Sequence, residues 1–278
     1  MRIGLRLLIG LLASVAIWGW LMTTDVNAAP LQVINGADVP VGEQPWVVGI
    51  LQATVEDDYL AQFCGGTLIA EHWVLTAAHC TFDESGNPFT PEGIQVLVGR
   101  RTLRNSSSGT RVAVDQIIRH PSFDATTYSH DLALLGLREG SAMPVVSLAT
   151  TMNNDNLTDG RQALIVGWGV TQAGEGANTL QRAQVPLVAT TACRQRYADY
   201  GITLAPTMIC AGYEEGGIDA CTGDSGGPLL VWNNRQQQWL QIGIISWGSG
   251  CAEAGIYGVY TEVSSFAEWI TSTINNAS

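Results

Sequence analysis

Lysine is absent from this chain of 278 residues: all 13 basic residues are Arg, and they face 25 acidic residues. The resulting net charge of −12 argues against nucleic acid or an anionic membrane surface as the main partner. Charged residues make up only 14% and hydrophobic residues 46% of the chain, which excludes a disordered protein and favours a globular one. Beyond residue 22, no apolar stretch is long enough to span a bilayer.

The N-terminus has the pattern of an export signal. Arg2 and Arg6 precede an apolar stretch over residues 7–22, and Val26-Asn27-Ala28 fits the small-x-small rule for signal-peptidase cleavage. We therefore predict a signal peptide over residues 1–28 and a secreted, extracellular protein, or a periplasmic one in a bacterium. Because the apolar stretch is somewhat long, an uncleaved anchor helix is the alternative.

Closely spaced cysteine pairs are also missing, since the nearest two cysteines lie 11 positions apart. This spacing argues against a structural zinc site, which needs close Cys or His pairs. An even number of cysteines in an exported chain instead predicts disulfides. The 15 ways of pairing six cysteines stay open on the sequence alone. The six are Cys64, Cys80, Cys193, Cys210, Cys221 and Cys251.

Short apolar or alternating segments recur after Pro30, separated by Gly, Asn, Ser and Pro clusters. This pattern predicts an all-β sandwich or barrel, without a linker between halves. One helix is predicted near the C-terminus, because four apolar residues there form one helical stripe. The predicted strands include residues 46–51, 67–70, 95–98, 163–166 and 241–246, and the stripe consists of Phe266, Trp269, Ile270 and Ile274.

Three segments contain residues capable of nucleophilic catalysis: Thr76–Cys80 with His79, His130–Leu135 with Asp131, and Gly223–Pro228 with Ser225. Taken singly, each has a plain structural interpretation, as a surface or core His, a turn Asp or a glycine turn. Together they supply what a serine nucleophile needs: a base, a carboxylate that orients the base, and backbone N–H donors for an oxyanion. The joint occurrence therefore predicts a hydrolase with a serine nucleophile.

From Val33 to the C-terminus the sequence resembles the chymotrypsin–trypsin family of serine proteases, and the order His, Asp, Ser is that of this family. The resemblance implies two six-stranded antiparallel Greek-key barrels, a C-terminal helix and an active site between the barrels. It also implies a serine endopeptidase. An inactive homologue acting as a binding module is the alternative. The matching segments are Pro45-Trp46, Thr76–Cys80, His130–Leu135, Gly167–Gly169, Gly223–Pro228 and Ser246–Gly248.

The resemblance assigns roles by position. Ser225 is the nucleophile, His79 the general base and then acid, and Asp131 its orienting carboxylate, supported by Ser246. The N–H groups of Gly223 and Ser225 form the oxyanion hole. The segment Ser246–Gly248, with Trp247 at its centre, pairs with the substrate backbone as an added strand. The implied disulfides are Cys64–Cys80, Cys193–Cys210 and Cys221–Cys251.

Asp219 lies where trypsin-like members carry the base of the primary pocket, and its carboxylate predicts cleavage after Arg or Lys. A solvated loop carboxylate is the alternative. Ala220, in place of a common Ser, favours Arg over Lys, because the guanidinium pairs directly with a carboxylate. Gly248 and Gly258 lie at positions of the pocket wall where the family needs small residues, so that a long substrate side chain can enter. Tyr128 lies at the position that forms the wall of the second subsite.

Some members of the family bind Na⁺ or Ca²⁺, and the sequence can be compared with both sites. Family members that have Tyr at the position of Tyr257 often bind Na⁺ beside the primary pocket, so Na⁺ is a candidate activator. The alternative is that the Tyr arose by sequence drift and has no function. The loop from Gly99 to Asn105 is rich in Arg and lacks acidic oxygens, so no Ca²⁺ is expected there. That loop is interpreted as solvated, with an anion-binding surface as the alternative. No cofactor is required for the predicted reaction.

The segment Val33–Gly36 resembles the mature N-terminus of the family. Cleavage before Val33 would release a propeptide of residues 29–32 and free an α-amine to pair with Asp224. Gln32 precedes this cut, so an Arg-specific enzyme would not make it, and another protease is the expected activator. The domains are then 1–28, 29–32 and a protease domain over 33–278. Expected partners are protein or peptide substrates and protein inhibitors, and the enzyme is expected to be a monomer.

Overall fold

The computed structural model of the chain describes residues 36–151 and 158–277. The predicted signal peptide, the propeptide, Gln32 and Val33 lie outside these described residues. Within the two described ranges, no helix has both the length and the apolar character needed to cross a bilayer.

Fourteen β-strands dominate the described residues, as the sequence pattern predicts. In chain order they are β1 (Ala37–Asp38), β2 (Val47–Gln52), β3 (Gln62–Ala70), β4 (Trp73–Thr76), β5 (Ile94–Val98), β6 (Thr110–Arg119), β7 (Ala133–Leu137), β8 (Ser147–Leu148), β9 (Gln162–Gly167), β10 (Gln181–Val188), β11 (Met208–Ala211), β12 (Pro228–Asn233), β13 (Gln238–Trp247) and β14 (Gly258–Glu262).

Strands β2 to β7 close into one antiparallel barrel in the order β2-β3-β4-β7-β6-β5. Strands β9 to β14 form a second barrel in the order β9-β10-β11-β14-β13-β12, which closes because β12 pairs with β9. β1 and β8 add to its outside. The prediction of an all-β protein with two six-stranded antiparallel barrels is confirmed. Because closed barrels leave no free strand edges, each is a rigid support for loops at its rim.

The two barrels share an apolar interface. Leu51 and Leu97 of the first barrel belong to the same buried cluster as Leu164 and Leu230 of the second. This shared burial fixes the loops of one barrel relative to those of the other, so catalytic residues contributed by both can meet with constant geometry.

The predicted C-terminal helix is α3 (Ala267–Ala277). It follows a short 3₁₀ turn, Val263–Phe266. Phe266 of the turn and Ile270 of the helix pack against the first barrel's core, although both come after the second barrel in the chain. Trp269 and Ile274 lie partly buried on the same cluster, so all four residues of the predicted stripe face it. The helix thereby connects the end of the second barrel to the core of the first.

Two further helices, α1 (Asp58–Ala61) and α2 (Thr190–Ala198), were not predicted from the sequence. α1 is one turn long and is capped by the Asp57 carboxylate, which accepts the N–H groups of Tyr59 and Leu60. α2 buries only Cys193 and Tyr197. Because two side chains do not form a recurring apolar stripe, the periodicity of the sequence did not indicate this helix.

All six cysteines form disulfides, and the three pairs are those implied by the family resemblance: Cys64–Cys80, Cys193–Cys210 and Cys221–Cys251. The first ties β3 to the turn that carries His79. The third links the segment before Ser225 to the loop that follows β13. Two of the three bridges therefore lie directly beside predicted site residues.

Candidate active site

The three predicted catalytic residues lie at the ends of strands from both barrels. His79 begins a short 3₁₀ turn just after β4, and Asp131 lies two residues before β7, which pairs with β4. Ser225 lies three residues before β12 of the second barrel. His79 and Ser225 line the same cleft, while Asp131 is fully buried behind the histidine. The fold thus brings together residues that are 146 positions apart in the sequence, from 79 to 225.

His79 and Asp131 are joined at two points. The ring Nδ1 of His79 lies 2.7 Å from Oδ2 of Asp131, and the main-chain N–H of His79 donates to Oδ1 at 2.9 Å. Because an ionised carboxylate only accepts hydrogen bonds, the ring proton belongs on Nδ1. The other ring nitrogen, Nε2, then keeps its lone pair and can accept a proton.

Two residues of the second barrel hold Asp131 in place. The Ser246 hydroxyl donates to Oδ2 at 2.5 Å, and the Thr261 hydroxyl donates to the main-chain oxygen of Asp131 at 2.9 Å. The Asp131 carboxylate therefore accepts three hydrogen bonds although it is fully buried. These bonds offset the desolvation of the charge and fix the direction of the carboxylate.

The segment around Ser225 is a tight turn that depends on glycine. Gly226 has a φ of +81°, and a Cβ there would collide with the Thr76 hydroxyl and the Gly65 carbonyl. The main-chain N–H of Gly65 in β3 donates to the Ser225 carbonyl at 2.7 Å. The nucleophile turn therefore lies directly on β3 and β4, and no other residue type fits at position 226 without movement.

Asp224 lies beneath this turn with only 1% of its surface exposed. Its carboxylate accepts the N–H groups of Gly169 at 2.7 Å and Cys221 at 3.0 Å. Burial raises the pKa of Asp224 to about 6, and the two hydrogen bonds only partly oppose this rise. A cation beside the carboxylate would therefore gain a strong, weakly screened interaction.

Asp219 lies at the base of the cleft and is 7% exposed. Its carboxylate accepts the N–H groups of Ala220 at 2.8 Å and Ala252 at 3.2 Å. Burial raises the pKa of Asp219 to about 6, and the neighbouring Asp224 charge contributes a smaller rise. The alternative of a solvated loop carboxylate is therefore wrong: this is a buried acceptor aimed into a pocket.

Gly248 and Gly258 line the same cleft as Asp219, together with Ala220 and Trp247. A Cβ on Gly258 would lie 3.0 Å from Asp219 Oδ1 and 3.0 Å from the Tyr260 hydroxyl. Gly258 is thus small because the base of the pocket leaves no room for a side chain.

Two tyrosines, one in the pocket and one packed behind Trp247, were not predicted from the sequence. Tyr260 lines the cleft with its hydroxyl buried, and the pKa of that hydroxyl is raised by desolvation and by the Asp219 and Asp224 charges. Tyr197 of α2 packs edge-on against Trp247 and donates its hydroxyl to the Tyr257 carbonyl at 2.5 Å. Tyr260 was predictable in principle, because residues two apart on a strand face the same side and Gly258 was already assigned to the pocket.

Tyr128 lies at the opposite side of the cleft. Its ring packs edge-on against the His79 ring, with 5.4 Å between the ring centroids. The ring narrows the cleft beside His79.

The loop from Gly99 to Asn105 is less solvated than predicted. Arg100 is only 6% exposed and forms an ion pair with Asp58 at 2.9 Å, while Arg104 lies over the Tyr59 ring at 3.7 Å. The prediction of a fully solvated loop is therefore wrong for Arg100. A buried guanidinium is a poor environment for a divalent cation.

The main-chain carbonyl of Tyr257, the residue at the predicted Na⁺ position, accepts a hydrogen bond from the Tyr197 hydroxyl. Among the described residues, the only cluster of three potential metal ligands is Cys64, His79 and Cys80, whose two sulfur atoms form a disulfide.

The comparisons with known proteins agree with this geometry. The trypsin family model matches residues 33–270. Trypsin 5G1 of Aedes aegypti is 36% identical over 245 residues, which cover 86% of this chain and 84% of that protein. Limulus clotting factor C of Carcinoscorpius rotundicauda is 32% identical over 251 residues, and mannan-binding lectin serine protease 1 of Rattus norvegicus is 30% identical over 249 residues. These matches cover 85% and 86% of this chain but only 25% and 35% of the two relatives.

The chain therefore belongs to the trypsin family of serine proteases. The matched region is a serine endopeptidase domain of this family. The chain spans about a quarter of the length of clotting factor C and about a third of the length of mannan-binding lectin serine protease 1.

Proposed function

We propose that this chain is a secreted endopeptidase that cleaves after Arg, and less well after Lys, by a Ser225–His79–Asp131 acyl-enzyme mechanism. The observation that carries the proposal is the joint geometry of the cleft. A histidine oriented by a buried, threefold hydrogen-bonded carboxylate lines the same cleft as Ser225 and a buried acidic pocket base.

In the acylation step, Ser225 Oγ attacks the scissile carbonyl carbon as its proton moves to Nε2 of His79. The Asp131 charge stabilises the imidazolium that forms. The N–H groups of Gly223 and Ser225 donate to the oxyanion of the tetrahedral intermediate. His79 then returns the proton to the leaving amine as the C–N bond breaks, which leaves an ester on Ser225. A water molecule hydrolyses the ester by the same steps in reverse.

Specificity follows from the charge at the base of the pocket. A substrate guanidinium would restore a partner to the Asp219 carboxylate, which is costly to leave unpaired in a water-poor site. Ala220 offers no hydroxyl to solvate a lysine ammonium, so the bidentate guanidinium is favoured. Tyr128 favours a small residue immediately before the Arg, and Ser246–Gly248 bind the substrate backbone as an added strand.

Two tests address the reaction and its specificity. A fluorophosphonate probe should label the matured enzyme on Ser225, and labelling should vanish in Ser225→Ala and slow strongly in His79→Ala. Absence of labelling in the matured wild-type enzyme would rule out the catalytic proposal and leave the inactive homologue. A peptide library should show cleavage after Arg, and equal or faster turnover of matched Lys peptides would contradict the preference for Arg.

We also propose that the enzyme is made as a zymogen with residues 1–28 as signal peptide and 29–32 as propeptide. After cleavage following Gln32 by a different protease, the Val33 α-amine would pair with Asp224 and order the oxyanion turn. The buried, partly compensated Asp224 carboxylate supports this step. N-terminal sequencing of the active protein should give Val33 as the first residue, and any other start would contradict the scheme.

Na⁺ beside Tyr257 is an activator in this proposal, not a requirement. Activity in sodium chloride should then exceed activity in choline chloride at equal ionic strength. Equal rates in the two salts would remove Na⁺ from the scheme, and the Ser225 chemistry would be unaffected.

A further inference from the structure

Gln62, the first residue of β3, contacts the oxyanion turn through its side chain. Its amide nitrogen Nε2 donates to the main-chain carbonyl of Gly223 at 2.9 Å and to that of Cys64 at 3.0 Å. Both amide hydrogens are thus used, one within β3 and one across the interface between the barrels. The contact joins positions 161 residues apart, so only the assembled fold creates it.

The peptide group between Gly223 and Asp224 is held at both of its polar atoms. Gln62 binds its oxygen, and its N–H, which belongs to Asp224, donates to the Cys221 carbonyl at 2.9 Å. This peptide plane therefore has a fixed orientation. The N–H of Gly223 lies on the preceding peptide plane, whose oxygen, that of Thr222, accepts the N–H of Val170 at 2.7 Å, so Val170 and Gln62 restrain the planes on the two sides of the Gly223 Cα.

Gly223 needs such an external restraint. Its φ of +96° is accessible to glycine at low cost, but so are many other backbone angles. With only the Val170 bond left, rotation at Gly223 would be less restrained, and a rotation that turned its N–H away from the cleft would leave a single donor for the oxyanion. Anchoring the following peptide reduces the number of orientations that the turn can adopt.

Strand β3 anchors the turn a second time, because the Gly65 N–H donates to the Ser225 carbonyl. The carbonyls of Gly223 and Ser225, the two residues whose N–H groups are assigned to the oxyanion hole, are therefore both bound by one strand of the other barrel. The disulfide from Cys64 to Cys80 ties the same strand to the turn of His79.

We propose that Gln62 is a positioning residue for the oxyanion hole: by binding the Gly223 carbonyl it keeps the Gly223 N–H directed at the reacting oxygen. This inference rests on the proposed role of Gly223 as an oxyanion donor. It predicts a defect in transition-state stabilisation and leaves binding in the primary pocket unchanged.

The test uses Gln62→Met in the matured enzyme, since Met has a similar length and no donor. We expect kcat to fall about tenfold, less than the ~10²–10³-fold loss typical of deleting an oxyanion donor outright. A peptidyl-arginine aldehyde, whose adduct with the serine places an oxygen in the oxyanion hole, should bind about tenfold more weakly. An aromatic amidinium, which needs only the primary pocket, should bind within twofold of wild type.

Gln241→Met is the matched control. Gln241 is fully buried in β13, and its Nε2 donates to the Gly243 carbonyl at 3.1 Å, so this change also removes an amide-to-carbonyl bond from a barrel. It should leave the ratio of aldehyde to amidinium affinity unchanged. If Gln62→Met fails to fold by circular dichroism, Gln62→Leu, which also lacks a donor and adds no charge, serves in its place.

Three outcomes are distinguishable. A selective loss of aldehyde affinity and kcat supports the inference. Unchanged aldehyde affinity, or an equal loss of amidinium affinity, overturns it, because the side chain would then have no effect or a general structural one. Failure of the wild-type enzyme to react with a fluorophosphonate would instead contradict the underlying catalytic proposal.

Discussion

His79 donates twice to one carboxylate: its ring Nδ1 lies 2.7 Å from Oδ2 of Asp131 and its main-chain N–H lies 2.9 Å from Oδ1. The orientation of the ring and the position of its backbone are thus set by the same group. An amide at position 131 could accept only one of these bonds, since its other terminus carries hydrogens.

Asp131→Asn should therefore reverse the tautomer of His79 and place a proton on Nε2, where a base is needed. We expect kcat to fall by about 10⁴-fold, which is the magnitude known for this change in well-studied members of the family. Steady-state hydrolysis of an arginyl ester measures it. Ser246→Ala removes one of the three hydrogen bonds to the carboxylate and leaves the tautomer of His79 intact, so kcat should fall only about tenfold in this variant. Equal losses in the two variants would contradict this explanation.

The affinity of the primary pocket for a cation should depend on pH through Asp219. Burial raises the pKa of this carboxyl to about 6 in the free enzyme, and only the ionised form attracts a cation. As the pH falls below 6, the dissociation constant of an aromatic amidinium should rise about tenfold per pH unit, since each bound ligand must then displace a proton. Above pH 7 the constant should be flat.

Isothermal titration calorimetry between pH 4.5 and 8 measures this dependence, with proton release on binding as a second readout. Asp219→Asn is the control, because it should bind the amidinium weakly and with a dissociation constant that does not change with pH. An affinity that is constant down to pH 4.5 would show that Asp219 stays ionised in the free enzyme and would contradict the raised pKa.

Much of the fold and of the candidate site could be predicted from sequence because each feature has a local signature. The glycines around Ser225, the apolar strands and the family motifs can all be recognised within a few residues. The bonds of Gln62 and Tyr197 have no such signature, since each joins a single side chain to a main-chain oxygen of a distant segment. The burial of Arg100 was missed for the same reason, because its partner Asp58 lies 42 positions earlier, from 100 to 58.

The preference for Arg over Lys should depend on the residue next to Asp219. Ala220→Ser adds a hydroxyl at the base of the pocket that can accept from a lysine ammonium. A hydrogen bond to a charged group contributes about 1.5 kcal/mol or more, which corresponds to roughly a tenfold gain in kcat/KM for Lys peptides. Values for matched Arg peptides should change by less than about threefold. Ala220→Val, which adds bulk without a hydroxyl, is the control and should lower kcat/KM for both Arg and Lys peptides. An unchanged ratio of the Arg to the Lys value in Ala220→Ser would contradict the prediction.

Gly258 should be intolerant of even one added carbon. A Cβ there would lie 3.0 Å from both Asp219 Oδ1 and the Tyr260 hydroxyl, so Gly258→Ala must displace the carboxylate or occupy the space of the substrate side chain. We expect kcat/KM for Arg peptides to fall about 100-fold through KM, while the rate of fluorophosphonate labelling at Ser225 stays near that of wild type. Gly248→Ala places its Cβ 3.6 Å from the nearest atom, so kcat/KM should fall less than in Gly258→Ala. A labelling rate that falls in parallel with kcat/KM would mean that the change disrupts the catalytic residues themselves.

Activity should also decline reversibly at high pH if the Val33 α-amine pairs with Asp224 in the matured enzyme. The ordinary pKa of an α-amine is about 8, and an ion pair with a buried carboxylate raises it. Because the folded-state pKa is raised, the stabilisation of the active turn is present at neutral pH and is lost as the pH rises through that higher value. Measured from pH 7 to 10.5, kcat/KM should fall, and returning the sample to pH 7.5 should restore it. Amidinium affinity should fall over the same pH range, since the pocket and the oxyanion turn would lose order together. Constant kcat/KM up to pH 10.5 would mean that no titrating amine maintains the active turn.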